Sequence, residues 1–243
     1  MKTIFGLVFA LAAAGALHAQ LITNLDDFED GSTQGWFVGD PTHPFPPTNI
    51  SAGGPDGSDD SYLRLTSLGQ PGPGGRLAVL SGPQWAGNYL AENITQIRMD
   101  VNNSGPSDLS LRLLFEDFGG MGPPLNLALS ADAVFVPANS GWQSIAFDVT
   151  SGGLIPGIFG SVSGALTGTD TIRIFHNPAP EFGGPNIGPP MVNVVLGIDN
   201  ISTFSAVPEP GTYLAGLGLA AWCAAMWLRR RSGKTPADPL QEV

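Results

Sequence analysis

Cysteine is nearly absent. The 243-residue chain holds one, Cys223, inside an apolar run near its C-terminus. The residues before it therefore offer no disulfide, no thiolate nucleophile and no cysteine metal ligand. Positive charge is also scarce: ten Lys and Arg face 21 Asp and Glu, a formal net charge of −11. No lysine occurs between Thr3 and Gly233, and five of the ten cations (Lys2, Arg229, Arg230, Arg231, Lys234) lie close to the termini. From Gln20 to Phe204 five arginines face 18 acids. Nucleic acid is excluded as a partner, because phosphate backbones demand clustered Lys and Arg. Such a balance suits solubility, divalent cations and neutral polysaccharide. Past the first 19 residues only His43 and His176 remain. With no His-rich cluster and no G-x-S-x-G elbow, zinc chemistry and nucleophilic hydrolysis lack their parts.

What is abundant is punctuation: 33 glycines and 22 prolines. Long helices are implausible between Gln20 and Phe204, where short β-branched apolar segments alternate with turn residues. Strands are expected near Asn24–Glu29, Trp36–Val38, Tyr62–Thr66, Arg76–Ser81, Ile94–Asn102, Asp108–Glu116, Leu125–Leu129, Trp142–Val149, Thr171–His176 and Val194–Phe204. In Asp108–Glu116, Leu109, Leu111, Leu113 and Phe115 fall on one face, opposite Ser110, Arg112, Leu114 and Glu116. Such alternation predicts antiparallel sheet with one face buried. Eight to ten such strands predict an all-β, two-sheet sandwich or jelly roll. The segments Asp40–Asp60, Gly69–Gly75, Asp117–Pro124, Ser151–Gly168 and Asn177–Met191 read as loops.

Both termini carry addresses. Lys2 followed by apolar Ile4–Leu17, with small residues at Ala14-Gly15-Ala16 or Leu17-His18-Ala19, predicts a signal peptide over residues 1–19. The domain follows at 20–204, then a linker at 205–211. Val207-Pro208-Glu209-Pro210 is a rigid extended spacer, since two prolines fix φ and remove two donors. The 17 uncharged residues Thr212–Leu228 are just long enough for a transmembrane helix, and Arg229-Arg230-Arg231 keep the tail at 229–243 in the cytoplasm. This order of motif, helix and basic cluster resembles the PEP-CTERM sorting signal of Gram-negative bacteria. The resemblance implies an exosortase-type processing enzyme as partner, an inner-membrane intermediate, delivery to the cell surface or extracellular matrix, and association with exopolysaccharide and biofilm. The tail after Arg231 is longer than such signals usually carry.

Asp27-Phe28-Glu29-Asp30-Gly31 with Gly35-Trp36, then Gly141-Trp142, then Leu196-Gly197-Ile198-Asp199-Asn200-Ile201, resemble the opening, a later and the closing strand of galactose-binding-like and carbohydrate-binding-module jelly rolls. In those folds the first and last strands are neighbours and often hold a structural Ca²⁺. The resemblance makes Glu29, Asp30 and Asp199 candidate Ca²⁺ ligands, with Asp56–Asp60 able to add oxygens of the hard type the ion prefers. The alternative is that these acids are solvated turn residues. Sugar binding needs exposed aromatic platforms. Trp36 and Trp142 are expected in the core, whereas Trp85 and Tyr89, with Gln84 and Asn88, lie in a polar, glycine-bounded loop and are the candidate ligand contacts; the alternative is packing at the open end of the sandwich. Arg112 and Arg173 can clamp a ligand from a sheet face. No residue is singled out as catalytic, although Glu92, Glu116 and Asp117 are carboxylates of the kind a glycosidase pairs. Three readings follow: a non-catalytic surface or matrix protein, a lectin-like module, and a polysaccharide-active enzyme.

Overall fold

Alternation decides the architecture. In β5 (Ile94–Asn103) Ile97, Met99 and Val101 enter the core while Arg98, Asp100 and Asn102 stay half-exposed on the other face. In β6 (Leu109–Asp117) Leu109, Leu111, Leu113 and Phe115 are completely buried. These two strands are the inner members of two facing sheets. The computed structural model describes residues 20–120, 122–182 and 188–206. The expected signal peptide 1–19, the motif Val207–Pro210, the helix 212–228 with Cys223, and Arg229–Arg231 lie outside the described residues. Among the described residues no helix is long and apolar enough to cross a membrane.

Gln20–Ala206 forms one compact unit. The chain runs through β1 (Gln20–Asp26), β2 (Thr48–Ile50), β3 (Tyr62–Leu68), β4 (Ala78–Leu80), a 3₁₀ turn at Pro83–Trp85, β5 and β6. It continues through β7 (Asn126–Ser130), β8 (Val134–Val136), β9 (Gln143–Asp148), β10 (Leu154–Pro156), helix α1 (Val162–Thr167), β11 (Thr171–His176) and β12 (Asn193–Ala206). One sheet has the order β2-β3-β12-β5-β9 with β1 also on β12; the other is β10-β7-β6-β11-β4 with β8 also on β6. All pairings are antiparallel. The first and last strands are thus neighbours, Asp26 opposite Ile201. The long strand β12 serves two partners in turn: residues 193–198 pair with β3 and 201–206 with β1. Between them Asn200 takes a left-handed φ of 50°, which Asn tolerates, and the register against β5 slips.

Four features depart from the sequence expectation. Twelve strands appear among the described residues rather than eight to ten: β2 and β10 lie in segments read as loops and β8 between two expected strands, all three residues long, too short for alternation to show. Helix α1 also occupies an expected loop, its Ser161 hydroxyl accepting from the Gly164 N–H at 3.0 Å as an N-cap. Trp36–Val38 is no strand, since Phe37 only bridges Leu80. The largest departure is in β6, which is buried on both faces. Leu114, Leu127, Leu129 and Phe175 form a second apolar cluster on the outer side of its sheet, with Phe182 edge-on to Phe175 at 5.0 Å. The segment after β11 folds back over this face, so Arg112 and Glu116 are buried too.

Candidate functional site

The loop expected to bind sugar is closed. Trp85 is completely buried and Tyr89 nearly so, which corrects the expectation of an exposed platform. The cause is Asp26, a buried acid at the end of β1. Its Oδ2 accepts from Trp36 Nε1 at 2.7 Å, Trp85 Nε1 at 2.6 Å and Gln84 Nε2 at 3.1 Å. An indole N–H in the core must find an acceptor, and one carboxylate serves two. Tyr89 donates its hydroxyl to the Trp85 carbonyl at 2.9 Å and meets Phe115 edge-on, while burial pushes its phenol pKa upward. Asn88 Oδ1 accepts from the Ala91 N–H. Trp85 and Tyr89 cap the sandwich, and Gln84 and Asn88 brace its end.

The expected metal corner is partly assembled. Glu29 Oε1 accepts from the Ser61 N–H at 2.7 Å, and Asp199 on β12 stands opposite Asp100 on β5. Asp199 is 1% exposed; its Oδ1 accepts from the Asn200 N–H at 2.7 Å, but its Oδ2 has no partner. Burial first, then the nearby Asp60, Asp100 and Glu29, push its pKa up to about 7. Asp30 points elsewhere, both its oxygens accepting from Ser32. Among the described residues no three His, Cys, Asp or Glu side chains gather closely enough to hold an ion by themselves. The orphaned, carboxylate-crowded Oδ2 still fits a cation whose other ligands are backbone carbonyls.

The open site lies along the other sheet. A groove runs beside its edge strand β4 in two continuous halves that share Val38, Asp40 and His43. One half, about 360 Å³, is walled by Phe37, Pro41, Pro46 and Pro47; the other, about 280 Å³, by Gly72–Gly74, Arg76, Leu80 and Arg173. Turns fix both banks. Asp40 Oδ1 accepts from the Thr42 N–H at 2.8 Å and hydroxyl at 2.7 Å, bonds that lower its pKa, and the Asp40 carbonyl accepts from the His43 N–H. On the opposite bank the Gly74 carbonyl accepts from the Leu68 N–H, and Gly74 (φ 82°) lies so close to Pro44 that a Cβ would sit 2.9 Å from its Cγ. Larger residues cannot replace this glycine, which locks the two loops together.

Arg173 reaches the groove from β11. Its Nε and Nη2 form a bidentate pair with Glu116 at 2.9–3.2 Å, and Phe182 packs 4.7 Å from the guanidinium. Burial raises the Glu116 pKa and Arg173 opposes that rise. Arg112, the other expected clamp, is enclosed: it donates to the carbonyls of Asn177, Ser130, Ala131 and Pro178. Glu116 is spent on Arg173, Asp117 accepts from Asn126, and Glu92 is exposed. Sequence reasoning missed the groove because Phe37, His43 and Arg76 lie far apart in a proline-rich loop and at a strand approach. It also placed Trp142 in the core. That ring is half-buried on the outer face of the first sheet, 5.3 Å from Tyr62 and over Gly197, with Nε1 donating to the Gly53 carbonyl.

Residues 206–231 match the PEP-CTERM protein-sorting motif, which marks the chain for export and sorting to the cell surface. No curated protein matches the chain. Among solved structures, the sandwich is similar to an exo-β-agarase (14% identity, TM-score 0.49), covering 79% of this chain but only 26% of the agarase. It is also similar to the family 11 carbohydrate-binding module of Clostridium thermocellum, solved with a β-1,3-1,4-mixed-linked tetrasaccharide (13% identity, TM-score 0.49, 80% and 100% covered). The K1 cleaved adhesin domain of Lys-gingipain from Porphyromonas gingivalis W83 is a third (12% identity, TM-score 0.39, 78% and 99% covered).

Proposed function

We propose that this protein is a non-catalytic, exported polysaccharide-binding component of the cell surface or extracellular matrix, processed by an exosortase-type enzyme from an inner-membrane intermediate of a Gram-negative cell. The observation that carries the binding role is the groove beside β4. It is open, and its two halves, about 360 and 280 Å³, differ in chemistry. Phe37, 48% exposed, and the proline rings offer apolar surface to the C–H faces of pyranoses, while Asp40, His43 and the arginines offer hydrogen bonds to hydroxyls. Asp40 is the one acid among its lining residues, and a single carboxylate does not supply the acid–base pair that a glycosidase uses, which favours binding over turnover. The test is affinity electrophoresis of the full-length protein in gels containing soluble polysaccharides. Retardation by at least one, weakened about tenfold in affinity by Phe37→Ala, supports the reading; no retardation by any contradicts it.

A structural Ca²⁺ belongs to the same proposal. Asp199 and Glu29 would hold it, with Asp60 contributing and loop carbonyls completing the shell; Asp30 no longer takes part. The ion would supply charge compensation to a crowded, buried carboxylate and tie the first strand to the last.

A further inference from the structure

We infer that the groove selects polysaccharides bearing carboxylates, such as uronates, rather than neutral ones, an inference that rests on the polysaccharide-binding reading above. The five arginines of Gln20–Phe204 are unevenly placed. Arg112 is sealed under four backbone carbonyls, and Arg98 is held by Gln96 and the Phe204 ring. Arg64 stands on the other sheet, opposite Gly197. The remaining two, Arg76 and Arg173, line the same half of one groove.

Both keep donors unspent beside the groove, whereas Arg64, which is exposed too, stands on the other sheet. Arg76 is exposed and makes no side-chain hydrogen bond or salt bridge among the described residues; its guanidinium lies against Gly188, where a side chain would collide with it. Arg173 spends Nε and Nη2 on Glu116 and keeps Nη1 unengaged, with 21% of its side chain exposed. His43 Nδ1 accepts from the Phe45 N–H at 3.2 Å, so a neutral ring carries its proton on Nε2. The cationic half therefore presents guanidinium and imidazole N–H groups, against one unpaired acidic side chain, Asp40. A site rich in donors is completed by a ligand rich in acceptors, and a planar carboxylate matches a guanidinium fork with two parallel bonds. The negative field of the whole protein works against acidic polymers, so recognition must be local: one carboxylate on Arg76, its ring on the apolar half.

The test compares polygalacturonate with neutral mixed-linked glucan and agarose as probes, using full-length wild type, Arg76→Ala and Arg76→Lys, with each variant's melting temperature recorded. The expected result is tighter binding of polygalacturonate, weakened about tenfold by Arg76→Ala, only partly restored by Arg76→Lys, and falling as NaCl rises from 50 to 300 mM. Binding of neutral glycans that equals or exceeds polygalacturonate binding, or an Arg76→Ala variant that binds polygalacturonate as wild type does, overturns the carboxylate inference and leaves the polysaccharide reading standing. Binding of no glycan at all overturns both.

Discussion

The Asp26 end and the groove beside β4 hold similar chemistry in opposite conditions. Around Asp26, two tryptophans and a glutamine meet one carboxylate oxygen, so both indole donors are spent within the chain. In the groove, Phe37 is half-exposed, Arg76 is unpaired and Arg173 keeps a free nitrogen. The lesson is that aromatic and polar residues side by side do not mark a binding site. What marks one is hydrogen-bonding capacity that the protein leaves unspent on a fixed scaffold.

The comparison breaks most visibly at Trp85. Trp85→Ala removes a fully buried indole and leaves Asp26 with one tryptophan, so stability should fall by about 3–5 kcal/mol, read as a lower denaturation midpoint. A loss below about 1 kcal/mol means the end is looser than described. The Asp199 corner comes next. Its folded pKa of about 7 lies above the ordinary carboxyl value near 3.8, so the folded state binds the extra proton between those limits. Without Ca²⁺, this group's contribution favours the fold at low pH and is lost as pH rises from about 4 to about 7. Asp199→Asn should flatten that dependence and raise the melting temperature at pH 8 in EGTA; Ca²⁺ should raise the wild-type value there and leave the variant's unchanged. Smallest are the groove substitutions: Phe37→Ala and Arg76→Ala should shift stability by about 0.5 kcal/mol or less while weakening glycan binding. A large stability loss from either would place the residue in the scaffold.

Alternation in β5, β6 and β11 made the sandwich legible, because period-2 apolar patterns on strands of six or more residues have one solution. The pairing of the first and last strands was legible through the resemblance of Asp27–Gly31 and Leu196–Ile201 to known opening and closing strands. The Trp85 environment was not. Glycine and asparagine around a tryptophan read as an exposed loop, and nothing local reveals that Asp26, 59 residues earlier, supplies the indole's acceptor. The groove was hidden for a related reason. Its cationic half joins Arg76, ahead of β4, to Arg173 on β11, and only the β4–β11 pairing brings them together. The buried outer face of β6 escaped notice because Phe182 covers it from a segment with no regular structure.

Hydrogen–deuterium exchange of the full-length protein, with and without a saturating polysaccharide that it binds, tests the central claim most directly. Occupation of the groove predicts slower exchange at the backbone amides of residues 37–45 and 72–78, with those of 84–91 unchanged. Protection confined to 84–91, or to the outer face of the first sheet around Tyr62 and Trp142, would contradict the assignment of the groove.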